Sequence, residues 1–98
     1  MINRSNQINL ICQFLKIRRS SRGISQERVS HETGIDVSNY ESQRCNPGLL
    51  NVMNLCDYYQ VPFAWLMQKV EDADAGFISK EDFFDKARNK DGSQIPKK

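Results

Sequence analysis

Apolar residues in this chain recur every three or four positions, and glycine or proline interrupts that rhythm at Gly23, Gly34, Pro47-Gly48, Pro62 and Gly76. A repeat of three to four places apolar side chains on one face of a helix. Breaks at such short intervals keep each helix to a few turns. Strand-type alternation bounded by turns is absent, and β-branched residues are sparse. The pattern therefore predicts an all-α chain of short helices. Its 98 residues suffice for one small domain and not for two.

The remaining composition excludes several classes. No stretch approaches the roughly 18 consecutive apolar residues of a membrane span. The basic run Lys16, Arg18, Arg19, Arg22 follows the apolar segment 8–15 instead of preceding it, unlike a secretory leader. Cys12, Cys45 and Cys56 are odd in number and widely spaced, so they make neither a disulfide framework nor a CxxC metal pair. A reducing cytoplasm is the expected compartment, with no membrane partner.

The spacing predicts a first helix from about Gln7 to Ser21, with Ile8, Ile11, Cys12 and Leu15 on its apolar face and Arg18 or Arg19 continuing that line. A second helix opens after Ser25, a good N-cap, and stops at Gly34. Asp36 caps a short third helix from Val37 to about Gln43. Arg44-Cys45-Asn46-Pro47-Gly48 reads as a loop. The fourth helix spans about Leu49 to Tyr59, with Leu49, Val52, Leu55, Cys56 and Tyr59 on one stripe. Pro62 suits the first position of a fifth, carrying Phe63, Leu66, Met67 and Val70. Residues 71–76 read as a polar break, Ser79 caps a last helix with Phe83, Phe84 and Ala87, and the polar residues 91–98 read as a disordered tail.

Charge is uneven. Residues 16–28 hold five Lys/Arg against Glu27, and residues 71–85 hold six Asp/Glu against Lys80. A basic front and an acidic rear suit a polyanion met by one face. Helix, glycine, short helix and polar loop in that order form the outline of a helix-turn-helix, whose second helix enters the DNA major groove.

The segments Leu15, Arg19, Arg22-Gly23-Ile24-Ser25-Gln26-Glu27, Thr33-Gly34-Ile35, Val37-Ser38, Tyr40-Glu41, Arg44, Asn46-Pro47 and Leu55-Cys56 through Tyr59-x-Val61-Pro62 resemble the Cro/repressor-type (Xre-like) helix-turn-helix regulators over roughly residues 8–67. The resemblance implies a five-helix lambda-repressor-like domain at residues 1–70, followed by the acidic segment and extra helix at 71–90. It also implies sequence-specific binding of double-stranded DNA as a small cytoplasmic transcriptional regulator and homodimer, without cofactor or metal. On the matching positions, Gln26 and the Ser25 cap would meet phosphate, Arg19 and Glu41 would form a structural ion pair, and Arg44 and Asn46 would follow the DNA backbone.

One departure is plain. Gly34 and Glu41 are seven apart, where the family usually has ten. The recognition helix is thus shortened where base-reading residues usually stand. Asp36, Ser38, Asn39, Ser42 and Gln43 remain able to face a groove, and Asn39 and Gln43, four apart, share a helix face and can each pair with adenine. Gln43 also replaces the glycine with which the family commonly ends this helix. The shortening leaves room for another reading: the same fold as a protein-interaction or antitoxin-like module.

Other features weigh less. Lys16, Arg18, Arg22 and Arg28 read as solvent-facing charges. His31 has no acid, cysteine or serine at catalytic spacing, and no Gly-rich phosphate loop is present, so an enzyme is not expected. Residues 71–82 resemble a calcium loop around Gly76, but Ala73 and Ala75 occupy ligand positions. Phe77, Ile78, Phe83 and Phe84 form an aromatic cluster beyond the five helices. Residues 77–87 therefore either fold back on the fifth helix or form a candidate surface for dimerisation or a protein partner.

Overall fold

The computed structural model describes residues 4–88; the tail expected at 91–98 lies outside the described residues. Among the described residues there are six helices and no strand: α1 (Arg4–Ser21), α2 (Gln26–Thr33), α3 (Val37–Glu41), α4 (Leu49–Tyr59), α5 (Phe63–Ala75) and α6 (Lys80–Ala87). None is long and apolar enough to cross a membrane.

Local chemistry sets most boundaries. Ser25 and Ser79 accept the backbone N–H of Arg28 and Asp82, each at 3.0 Å, and Asp36 accepts that of Ser38 at 3.2 Å. Such caps satisfy amides that a helix start leaves without partners. Gly34 ends α2 with φ 76° and Gly76 ends α5 with φ 89°, a left-handed turn that glycine adopts without a side-chain clash. Pro62 stands one position before α5, not inside it.

The structure departs from the sequence reading in four places. First, α5 runs on through Glu71, Asp72 and Asp74 to Ala75, so most of the expected polar linker continues the helix for more than a turn. Ala73 is buried, and Asn6 and Gln7 at the start of α1 donate to the Asp74 carboxylate at 2.6 and 3.2 Å. These contacts hold a segment whose charges suggested a break.

Second, α1 buries more than a stripe. Leu10 and Phe14 are in the core beside Cys12 and Leu15, while Ile8 is only half-buried. The reason is that α1 is the central helix, touching α3 and α4 as well as α5 and α6.

Third, α6 folds back on α1 as well as on α5. Phe83 and Ala87 are fully buried, and the Phe83 ring lies 5.1 Å from that of Phe14. Arg18, expected in solvent, is fully buried. Its Nε donates to Ala87 O at 2.8 Å and its Nη2 to Lys86 O at 3.1 Å. Those carbonyls belong to the end of α6, where a cation is favoured.

Fourth, the first turn of α4 is not covered. Leu49 is 66% exposed, beside Leu50 and Met53. The third helix stops at Glu41, so it does not extend over Leu49.

Candidate functional site

The residues singled out in the sequence gather on α2, α3 and the loop that follows. Ile35 and Val37 are buried at the turn between the two helices and Val29 is buried on α2. Apolar burial thus fixes the angle at which the polar outer faces are shown.

One carboxylate holds this unit to α1. Glu41 at the end of α3 accepts from Arg19 twice, Nε at 2.7 Å and Nη2 at 2.9 Å, while Arg19 Nη1 donates to Ile24 O at 2.8 Å. Both side chains of the pair are largely buried, at 13% and 7% exposure. The paired fork keeps the Arg19 guanidinium protonated beyond its usual range, chiefly through the hydrogen bond to Glu41. A bidentate pair of this kind sets geometry more than it adds net stability. Gln26 Nε2 donates to the same Glu41 carboxylate at 2.7 Å, so the side chain expected at phosphate serves as a third strut. Its position as the first residue of α2 is as expected.

The start of α3 is a closed network. Asp36 Oδ1 accepts from the Ser38 hydroxyl at 2.6 Å, and its Oδ2 accepts from Asn39 Nδ2 at 3.2 Å. Two expected base readers are therefore engaged by their own helix cap. The third helix ends two residues earlier than the spacing predicts. Ser42 takes the cap position and its hydroxyl donates to Asn39 O at 3.3 Å. Gln43 adopts φ 63° and is exposed with Arg44 and Asn46. With Gln43 outside α3, it does not share a helix face with Asn39. A glycine is the usual residue for that backbone, and here a glutamine is held in it.

Two cross-links escaped the sequence reading. Asn51 Nδ2 donates to the Tyr40 hydroxyl at 2.7 Å, joining α3 to α4. The Tyr58 hydroxyl donates to Glu32, which also pairs with Arg28 at 3.2 Å, joining α4 to α2. The bonds from Tyr58 and Arg28 lower the proton affinity of the Glu32 carboxylate, and the bond to Glu32 raises that of Tyr58. The partners of the two cross-links lie 11 and 26 residues apart, beyond any local spacing rule.

The charge of this face is not that of the sequence average. Residues 25–48 contain Glu27, Glu32, Asp36 and Glu41 against Arg28 and Arg44. Glu41 is buried in its pair with Arg19, so three carboxylates against two guanidinium groups leave the outer face at −1. Of the basic run, Arg18 is buried and Arg19 is paired. Among the described residues no group of three or more His, Cys, Asp or Glu could hold a metal ion. No family model, no curated protein and no solved structure matches this chain.

Proposed function

We propose that the chain is a small helix-turn-helix regulator of the Xre-like type that binds double-stranded DNA, with α2 and α3 as the paired helices. The observation that carries this reading is the three-way clamp of Arg19, Gln26 and Glu41. It fixes a short polar helix and its loop against the central helix, at positions matching the family's own structural pair. DNA recognition requires that kind of rigidity, because phosphate contacts set the register in which base edges are read.

The geometry shifts the roles within the site. Ser25 and the exposed amides at the start of α2 remain suited to phosphate, as do Arg44 and Asn46. Gln43 and Arg44, not Ser38 and Asn39, are the side chains left without internal partners to reach a groove. Binding as a homodimer to a two-fold site follows from the same reading.

A second reading has its own support. The −1 charge of the α2–α3 face and the Asp36 carboxylate at the head of α3 oppose a polyanion. They favour a protein-interaction module on the same fold. Selection of bound duplexes from a random pool, using the full chain, separates the two. A two-fold consensus whose affinity falls steeply with salt supports the DNA reading. Absence of binding, or binding without sequence preference, gives the site to a protein partner.

A further inference from the structure

A second surface lies at the other end of α1. An open cleft of about 650 Å³ runs between the start of α1 and the end of α5, lined by Gln7, Gln68, Glu71, Asp72, Asp74 and Phe77. Twelve residues of α1 separate Gln7 from Arg19, about 18 Å at the helical rise, so the cleft is clear of the α2–α3 face.

Phe77 is the anomaly. It follows the left-handed Gly76, and its N–H donates to Asp72 O at 2.8 Å, with Gly76 N–H bonded to Ala73 O at 3.2 Å. In this type of helix ending, the apolar residue after the glycine usually folds back onto the last turn. Here Phe77 is 80% exposed, the most exposed of the large apolar side chains among the described residues. Its backbone is anchored while its ring stands in water at the cleft wall. The other aromatic residues of the segment are used internally: Phe83 is in the core and Phe84 packs against it at 5.3 Å.

The rest of the lining is acidic. Asp74 is held by Asn6 and Gln7, and Asp72 accepts from Gln68 Nε2 at 3.1 Å. Glu71 is exposed beside them, and among the described residues no lysine or arginine lines the cleft. An anchored aromatic ring next to several carboxylates complements a segment that offers an apolar side chain beside cations. The cleft volume falls in the range of sites that enclose a few residues or a small ligand.

We propose that this cleft docks a short segment of a partner protein carrying an aliphatic or aromatic anchor flanked by Lys or Arg. The anchor packs on Phe77 and the cations meet Glu71 and Asp72. The surface serves as an input separate from α2–α3.

The test is a selection of random peptides displayed on phage against the full chain at low salt. Synthetic copies of the winners are then titrated against the wild-type chain, Phe77→Ser, and the Glu71→Gln/Asp72→Asn pair. Winners should combine an apolar residue with at least two basic ones. Each variant should weaken binding about tenfold or more, the scale of an interface anchor. Both variants should keep the wild-type thermal melt, because the altered side chains lie at the surface. Amide shifts on peptide addition should centre on residues 68–77 and the start of α1. The proposal fails if no peptide is selected, if winners lack basic residues, or if they bind Phe77→Ser as tightly as wild type. Concentration-dependent dimerisation in sedimentation, abolished by Phe77→Ser, would also overturn it and give the cleft to a second copy of the chain.

Discussion

At the residue scale, two glutamines occupy backbone that suits glycine. Gln43 has φ 63° and Gln60 has φ 61°, and a side chain in that region costs about 1–2 kcal/mol. Gln60 ends α4 with its N–H bonded to Asp57 O at 3.2 Å, and the next N–H, of Val61, reaches Cys56 O at 2.8 Å. Gln60→Gly should therefore raise stability by about 0.5–1 kcal/mol, after glycine's own entropy loss is subtracted; urea unfolding measures it. The thiols differ by position. Burial, with smaller contributions from neighbouring groups, pushes Cys12 up to about 11 and Cys56 up to about 12, from 9.0. An acid whose folded value is raised stays neutral in the fold while the unfolded chain ionises. Stability from these groups is thus complete below pH 9 and is lost as pH rises from 9 through 11–12. Urea midpoints should fall across that window, and less so in a Cys12→Ala/Cys56→Ala chain. In the native state at neutral pH an aromatic disulfide reagent should titrate Cys45 alone, since it is the exposed thiol.

At the scale of elements, the contact that decides whether α6 belongs to the fold is Arg18. Its guanidinium caps the last carbonyls of α6, and its Cζ stands 5.6 Å from the Phe14 ring centroid. Burial, reinforced by Arg22, lowers its pKa to about 10, so the charge is held in the core against its own desolvation. Arg18→Ala removes the cap and opens a cavity, at a cost of about 2–4 kcal/mol. Amide exchange should show α6 losing protection before α1. Arg18→Met, which restores volume without the charge, should recover a substantial part. Little of this could be read from the chain. Ser25, Asp36, Ser79 and Gly34 announce their helix ends because caps and left-handed turns act within four residues. Arg18 gives no such signal: nothing in its local spacing tells that residues 86 and 87 will arrive over it. For the same reason Glu71–Ala75 reads as a linker and is a helix, and Leu49 reads as core and is exposed. In the first case the outcome depends on a distant element, the start of α1.

At the scale of the whole molecule, the placement of charge decides the function. The sequence shows a basic front, yet folding buries Arg18, pairs Arg19 with Glu41 and sets Arg28 against Glu32. Thus the order of the helices could be anticipated while the potential of the site could not, since pairing partners are chosen by the fold. Asp36 is the residue that weighs the two functional readings. Asparagine caps a helix about as well as aspartate: its single oxygen keeps both bonds from Ser38, and only the exposed bond from Asn39 is lost. Asp36→Asn should therefore leave the melt within about 0.5 kcal/mol of wild type while removing one negative charge from the head of α3. If α3 lies against DNA, a unit charge a few ångströms from a phosphate in water is worth about 1 kcal/mol. Affinity for any duplex should then rise about fivefold, and the salt dependence should steepen. Fluorescence anisotropy at two salt concentrations measures both. A fall confined to sites with one particular base pair would instead make the carboxylate a reader of a cytosine amino group, still within the DNA reading. A chain that binds no duplex before or after the change holds α3 for a protein, and Asp36 then belongs to that partner's interface.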